Sequence, residues 1–260
     1  MNNKQNSLNI LKQMVSSGDV VGIKTSFEDE GALFNDIVML KNICSQAKTD
    51  LILKIGGPEA IRDIKESYTL GVSGIVAPMV ESVFGLEKFI QASKYNADTE
   101  LYINIETKTG VLNFDEIYNS NLIKKLSGIT IGRVDLVSSM GKDRSYVDSE
   151  EVFDITKNIF KKVKDIGLKA CLGGAVSIKS KDFLNNLYNE KLLDKFETRY
   201  VIFDPSVSLN NLEESLEAGQ KFEYEWLLHK KNFYSKIESE NDNRINMIKE
   251  RIIDSSGNKI

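Results

Sequence analysis

The chain predicts an α/β fold, a TIM-type (β/α)8 barrel followed by a long C-terminal helical extension, and three observations carry that reading. Short apolar runs recur along the sequence and alternate with longer stretches of helical periodicity, the pattern of strands joined by crossover helices. These runs are continuous rather than alternating, as strands covered on both faces must be. At 260 residues the chain also has the length of a one-domain barrel, typically about 250 residues.

The elements follow in order. Up to about Gly18 a short polar helix or arm carries Leu8, Leu11 and Val15 on one side. Val20–Thr25 reads as a strand with an acidic exit, Phe27 to Gly31. A helix over Leu33–Ala47 spaces Ile37, Leu40 and Cys44 helically, as an outer-ring helix requires. A strand from Leu51 embeds Lys54 among apolar neighbours, Pro58 is placed to open a helix, and Gly71 to close it. Gly74–Pro78 is the next strand, with Ser82 capping a helix that reaches Tyr95. Leu101–Ile105 and Gly128–Ile131 are strands, and between them Asn113 and Glu116 form the expected capping pair of a helix begun by Phe114, Ile117 and Tyr118. A helix with Val152, Ile155, Ile159, Val163 and Ile166 on one stripe stops at Gly167 and precedes the strand Leu168–Leu172 and a Gly173-Gly174 turn. Arg199–Phe203 makes the seventh strand, so an eighth is expected near the N-terminus or the barrel is incomplete. From Asn210 a helical tail runs to about Ile253 with breaks near Ser235 and Ser239. The organisation is an arm over 1–18, a barrel over 19–208 and helices over 209–260.

Composition narrows the chemistry. The net charge of −4 with both signs mixed excludes the basic surface that nucleic acid demands. No apolar run approaches a membrane span, and the polar start is unlike a secretory signal. Cys44 and Cys171 lie far apart and outside any C-x-x-C, which reads as buried thiols in a reducing, cytoplasmic compartment. The single histidine, His229, falls in a charged helical segment, so histidine catalysis and His-ligated zinc are poor fits.

The stretch from Leu101 to Gly141 carries the candidate site. Its two strands lead to carboxylates, Glu106 and Asp135, and parallel strands present their carboxyl ends on one side. Two carboxylates without imidazole or thiolate form a hard oxygen site suited to Mg²⁺ or Mn²⁺; the bland reading is a pair of solvated loop acids or helix caps. Asn104 shares the parity of Glu106. Lys54, costly to bury alone, is expected to point toward an acid in the barrel mouth; a Schiff-base nucleophile and a snorkelling strand end are its alternatives. Arg133 is assigned to a substrate carboxylate or phosphate, or else to an ion pair that orders its loop. Among the acids after the first strand, Glu28 or Glu30 is placed to orient a water, with Glu30 the substrate-side candidate, against the alternative of a solvated loop. Gly173-Gly174 permits close backbone approach to an anion.

The strings IETKTGVLNFDEI and ITIGRVDLVSSMG, with GVSGIVAPMVES upstream, resemble the signature of the HpcH/HpaI aldolase and citrate-lyase family over roughly Val20 to Asp204. The resemblance implies a metal-dependent carbon–carbon lyase that holds a pyruvate-like or acyl enolate on the metal. Glu106 and Asp135 would be the metal ligands, and the backbone around Gly132 and Val134 would face the carboxylate of a small-molecule substrate. Three departures stand out. The family's acid-histidine pair after the first strand lacks its histidine, Lys54 occupies the place of an arginine, and Arg133 replaces a proline or small residue. The alternatives are a non-catalytic carboxylate-binding relative and an acyl-thioester lyase. The aromatic residues Phe222, Trp226, Phe233 and Tyr234 of the tail, with the family resemblance, imply terminal-helix exchange in a homo-oligomer.

Overall fold

The computed structural model describes residues 3–28, 30–94 and 98–256. Its strands β1 (Val20–Ser26), β2 (Asp50–Lys54), β3 (Gly74–Ala77), β4 (Glu100–Ile105), β5 (Gly128–Gly132), β6 (Lys169–Gly173), β7 (Lys195–Glu197) and β8 (Val201–Phe203) close a barrel in sequence order. The first seven run parallel, whereas β8 is antiparallel to both β7 and β1. The missing strand is therefore Lys195–Glu197, immediately before the last one and not near the N-terminus. It escapes sequence reading because it offers one apolar residue, Phe196, between two charged ones. A tight turn, in which Thr198 N–H donates to the Val201 carbonyl, joins it to β8 with no helix between them.

Helices cover the outside. They are α1 (Asn3–Ser17), α2 (Phe34–Ala47), α3 (Ile61–Leu70), α4 (Val83–Ala92), α5 (Lys108–Leu112), α6 (Phe114–Asn119), α7 (Arg133–Ser139), α8 (Glu150–Asp165), α9 (Lys181–Asn189), α10 (Pro205–Ser208) and α11 (Leu212–Ser256). In α8 the apolar stripe buries Val152, Ile159, Phe160 and Val163, Ser149 caps the start, and acids lead while lysines end the helix, which complements its dipole. Ser82 caps α4 by accepting the Gly85 N–H at 3.1 Å; Tyr95 lies outside the described residues. Two expected caps are corrected. Asn113 makes no side-chain cap, because its amide donates to the Glu81 carbonyl instead, and the helix there is split into α5 and α6. Pro58 precedes α3 by a turn instead of opening it. Glu81 accepts a hydrogen bond from Thr107, bracing the loops after β3 and β4.

Two apolar clusters hold the barrel. The larger lies between strands and helices; the smaller is an interior plug of Ile52, Val76, Tyr102, Cys171 and Ile202. Val76 and Tyr102 are register partners in this plug, and on each strand the neighbours two positions along from a plug residue also point inward. At the amino end of the strands the plug meets a polar group in which Glu100 pairs with Lys169 and accepts the Tyr102 hydroxyl at 2.6 Å. At the carboxyl end it meets the site described below. Both cysteines are buried free thiols, and burial pushes each up to about 12.

The gap left by the absent β7–β8 helix is filled by α1 and α11, whose contacts are the most extensive between any two helices. Leu8, Leu11 and Met14 of α1 and Leu212, Leu216, Phe222 and Trp226 of α11 are buried, and Asn3 and Asn6 both donate to Glu225. Helix α11 is continuous, without breaks at Ser235 or Ser239; neither serine forces a helix end, since serine is only mildly unfavourable in a helix interior. Among the described residues no helix is long and apolar enough to cross a membrane. Trp226 is 1% exposed, so Trp226→Ala is expected to lower stability by about 3–5 kcal/mol, the usual cost of emptying a large buried aromatic site, as measured by urea unfolding.

Candidate active site

The carboxyl ends of the strands surround a polar cavity of about 400 Å³ whose lining includes Lys24, Lys54, Asn104, Glu106, Asp135 and Glu197. A larger cavity of about 680 Å³ lies at the opposite end of the barrel, between α1 and the start of α11. It is a cleft between helices, with none of the inward strand-end residues, and the smaller cavity is the one where the charged groups converge.

Glu106 is the centre of this end. It follows β4, is 2% exposed, and is held at both oxygens. Oε1 accepts the Met79 N–H at 3.0 Å, Oε2 accepts the Asn104 amide at 2.9 Å, and the Lys54 ammonium stands 4.0 Å from Oε2. Met79 adopts a φ of 54°, a costly conformation for a residue with a side chain, and this turn aims its N–H at the carboxylate. Burial raises the Glu106 pKa; Lys54 and the two hydrogen bonds oppose the rise, and the nearby charge of Asp135 adds to it. Space for the carboxylate comes from Gly132, where a Cβ would lie 2.5 Å from Glu106 Oε2.

The other residues singled out in the sequence divide cleanly. Lys54, from β2, points inward beside Glu106, and the bidentate fork of an arginine is not available from it. Asp135, in the first turn of α7, lines the same cavity, as do Gly132, Val134 and Glu30. Glu30 lies 3.4 Å from Arg199, whereas Glu28 is exposed and does not line it; Asp29 lies outside the described residues. His229 is on α11 with its ring 5.9 Å from Trp226, and burial lowers its pKa.

Arg133 does not face the cavity. Its guanidinium is fully buried, donates to the carbonyls of Gly173 and Gly174, pairs with Asp148, and lies 4.9 Å from the Phe183 ring. Every edge of the fork is occupied by protein, so the assignment of Arg133 to substrate is corrected: it ties the loop after β6 to the start of α7. The ion-pair alternative describes it, with Asp148 as the partner. Two residues apart at a helix start, Arg133 and Asp135 point to different sides.

The cavity also contains residues that the sequence reading left aside. Lys24 from β1 pairs with Glu197 from β7, and Arg144 and Arg199 stand among the lining residues. Lys24 had the same signal as Lys54, a lysine inside an apolar run. Glu197 had none, because its strand is too short to recognise.

A closed barrel with its charged side chains gathered at the carboxyl ends of parallel strands is the plan of a TIM-type barrel protein, whose chemistry sits at that end. The HpcH/HpaI aldolase/citrate lyase family model matches residues 41–183, more than half of the chain, and the protein belongs to that family. The match is narrower than the sequence resemblance, and it leaves β1, β7 and β8 outside. No curated protein matches the chain at a significant level. Solved structures similar to it include an HpcH/HpaI aldolase from Desulfitobacterium hafniense DCB-2, 13% identical over 72% of this chain and 88% of that one, with a TM-score of 0.55. The citrate synthase SbnG is 19% identical over 81% of this chain and 97% of that one, with a TM-score of 0.58. An HpcH/HpaI aldolase/citrate lyase family protein from Burkholderia cenocepacia J2315 is 12% identical over 72% and 91%, with a TM-score of 0.56. At these identities the likeness is one of fold.

Because Arg133 is a buried charge with its partners on three separate segments, Arg133→Met is expected to destabilise the protein by about 3–5 kcal/mol, removing the partner of Asp148 and of three carbonyls. Chemical denaturation measures this directly.

Proposed function

We propose that the protein is a metal-dependent carbon–carbon lyase of the aldolase type, acting on a small 2-oxo acid or acyl substrate. The observation that carries this reading is the convergence of Glu106 and Asp135 on one polar cavity, beside the Lys54 ammonium. The donor set fits a hard divalent ion such as Mg²⁺ or Mn²⁺. Two carboxylates line the cavity, and Asn104 beside them keeps a buried carbonyl oxygen with no hydrogen-bond partner among the described residues. No group of three or more His, Cys, Asp or Glu residues that could hold a metal is found among the described residues, so water and substrate oxygens would complete the shell, as Mg²⁺ commonly retains them. Burial raises the pKa of Glu106, and a cation bound beside it would offset that cost.

When bound by Glu106 and Asp135, the ion supplies positive charge to the carbonyl oxygen of the substrate. Lys54 adds a second positive charge near Glu106, where negative charge develops during bond cleavage. The backbone at Gly132 and Val134 faces the substrate carboxylate, and Asn104 and the Met79 N–H fix the Glu106 carboxylate so that it does not have to reorganise. Arg133 acts on none of this directly.

The assembly proposed is a homo-oligomer. From residue 235 to residue 251 helix α11 is exposed on all sides, yet it carries Ile237, Ile245, Met247 and Ile248, and a second copy of the chain would cover them. A monomer in sedimentation at micromolar concentration would count against this.

Turnover is tested with the purified protein, Mg²⁺ or Mn²⁺, and a panel of 4-hydroxy-2-oxo acids, following release of the 2-oxo acid product. Cleavage is expected to stop on chelation and to fall by about 10²–10³-fold in Glu106→Ala. Metal-independent behaviour, identical in wild type and Glu106→Ala, ends the proposal.

A further inference from the structure

A retro-aldol reaction needs a base for the hydroxyl proton and an acid for the carbon left behind, and the only histidine in the sequence is on α11, outside the cavity. The cavity contains a second lysine–carboxylate pair that nothing in the proposed metal site uses. Lys24 from β1 contacts Glu197 from β7, with side chains 14% and 10% exposed. This pair mirrors Lys54 and Glu106. Gly132 and Gly173 are register partners on the neighbouring strands β5 and β6. Gly132 makes room for Glu106, and at Gly173 a Cβ would lie 2.9 Å from Glu197 Oε1. Two carboxylates thus flank a floor of adjacent glycines, with a lysine behind each. The space that a side chain would take at each glycine is filled by the carboxylate beside it, and both carboxylates line the one polar cavity where a small ligand would sit.

We propose that Glu197 is the general base of this site and that Lys24 is the positioning residue that orients it. The inference rests on the carbon–carbon lyase reading. Of the acids lining the cavity, Glu106 and Asp135 belong to the ion, and Glu30 lies beside the guanidinium of Arg199, a group that does not give up its proton. Of the two acids left outside the ion's site, Glu197 is the one paired with an ammonium, which can hold a carboxylate and also pass on a proton. In the step itself, Glu197 takes the proton of the substrate hydroxyl as the adjacent carbon–carbon bond breaks. The hydroxyl carbon becomes the carbonyl carbon of the departing aldehyde or ketone, and the bonding pair passes to the 2-oxo acid fragment as its enolate. The protonated Glu197 then returns the proton to the enolate carbon, so protons and electrons balance without a further reactant.

The test uses pyruvate in D₂O with Mg²⁺, because exchange of its methyl protons needs only the enolisation half of the reaction and no knowledge of the second substrate. Proton NMR follows exchange, and calorimetry follows binding of oxalate, a planar dianion with the shape of the pyruvate enolate. Glu197→Gln is expected to slow exchange by at least ~100-fold while oxalate affinity stays within about threefold. Lys24→Met should do the same, with Lys24→Arg recovering part of the rate. The double variant Lys24→Met/Glu197→Gln removes both charges together, so it keeps the test open if a single variant unfolds. Wild-type exchange in the double variant overturns the inference and leaves the lyase reading standing. Loss of oxalate binding together with exchange also overturns it, since the pair is then a binding element. Wild-type protein that binds neither oxalate nor exchanges pyruvate removes both readings.

Discussion

The structure depends on placing a carboxylate inside the barrel. Glu106 is withdrawn from solvent at 2% exposure, where an unsupported anion would take up a proton. Its supports come from four strands or their ends: an ammonium from β2, a backbone N–H after β3, an amide from β4 itself and an empty position on β5. Moving any one of these changes how strongly the carboxylate holds its charge. The glycine at position 132 and the unfavourable backbone of Met79 both serve this constraint.

The same requirement accounts for the uneven distribution of polarity along the barrel axis. A thin apolar plug separates the carboxyl-end charges from the Glu100–Lys169–Tyr102 group at the other end. An interior with charges at both ends and few apolar residues between them contributes less hydrophobic stabilisation than a filled one. The larger cluster outside the strands, together with the packing of α1 on α11, carries most of the burial. Arg133 belongs to this structural side, since its guanidinium joins the ends of β6, α7 and the loop before α8.

The parts of this arrangement that could be read from the chain were those with a local signature. Glu106 and Asp135 follow recognisable strands, and Lys54 stands out because a charge inside an apolar run needs a reason. Arg133 leaves two readings open in the sequence, substrate contact or ion pair, because position at a helix start does not fix the direction of a side chain and its partners lie on segments up to 47 residues away. β7 was missed because three residues with a single buried aromatic carry no period. With it went Glu197, and so the second lysine–carboxylate pair, whose members are 173 positions apart. The polar stretch of the long helix suggests breaks near Ser235 and Ser239, whereas no residue in it forbids helix.

One reversed strand decides where the polypeptide finishes. Had β8 run like its neighbours, the chain would have left the barrel at the open, charged end and the last helix would have travelled back toward the closed end. Because β8 descends, α11 starts near Asp19 and climbs past α1 until Lys230 and Tyr234 reach Asp36 at the head of α2. The remainder of α11 therefore stands clear of the body on the side where the cavity opens, like a mast raised beside a doorway.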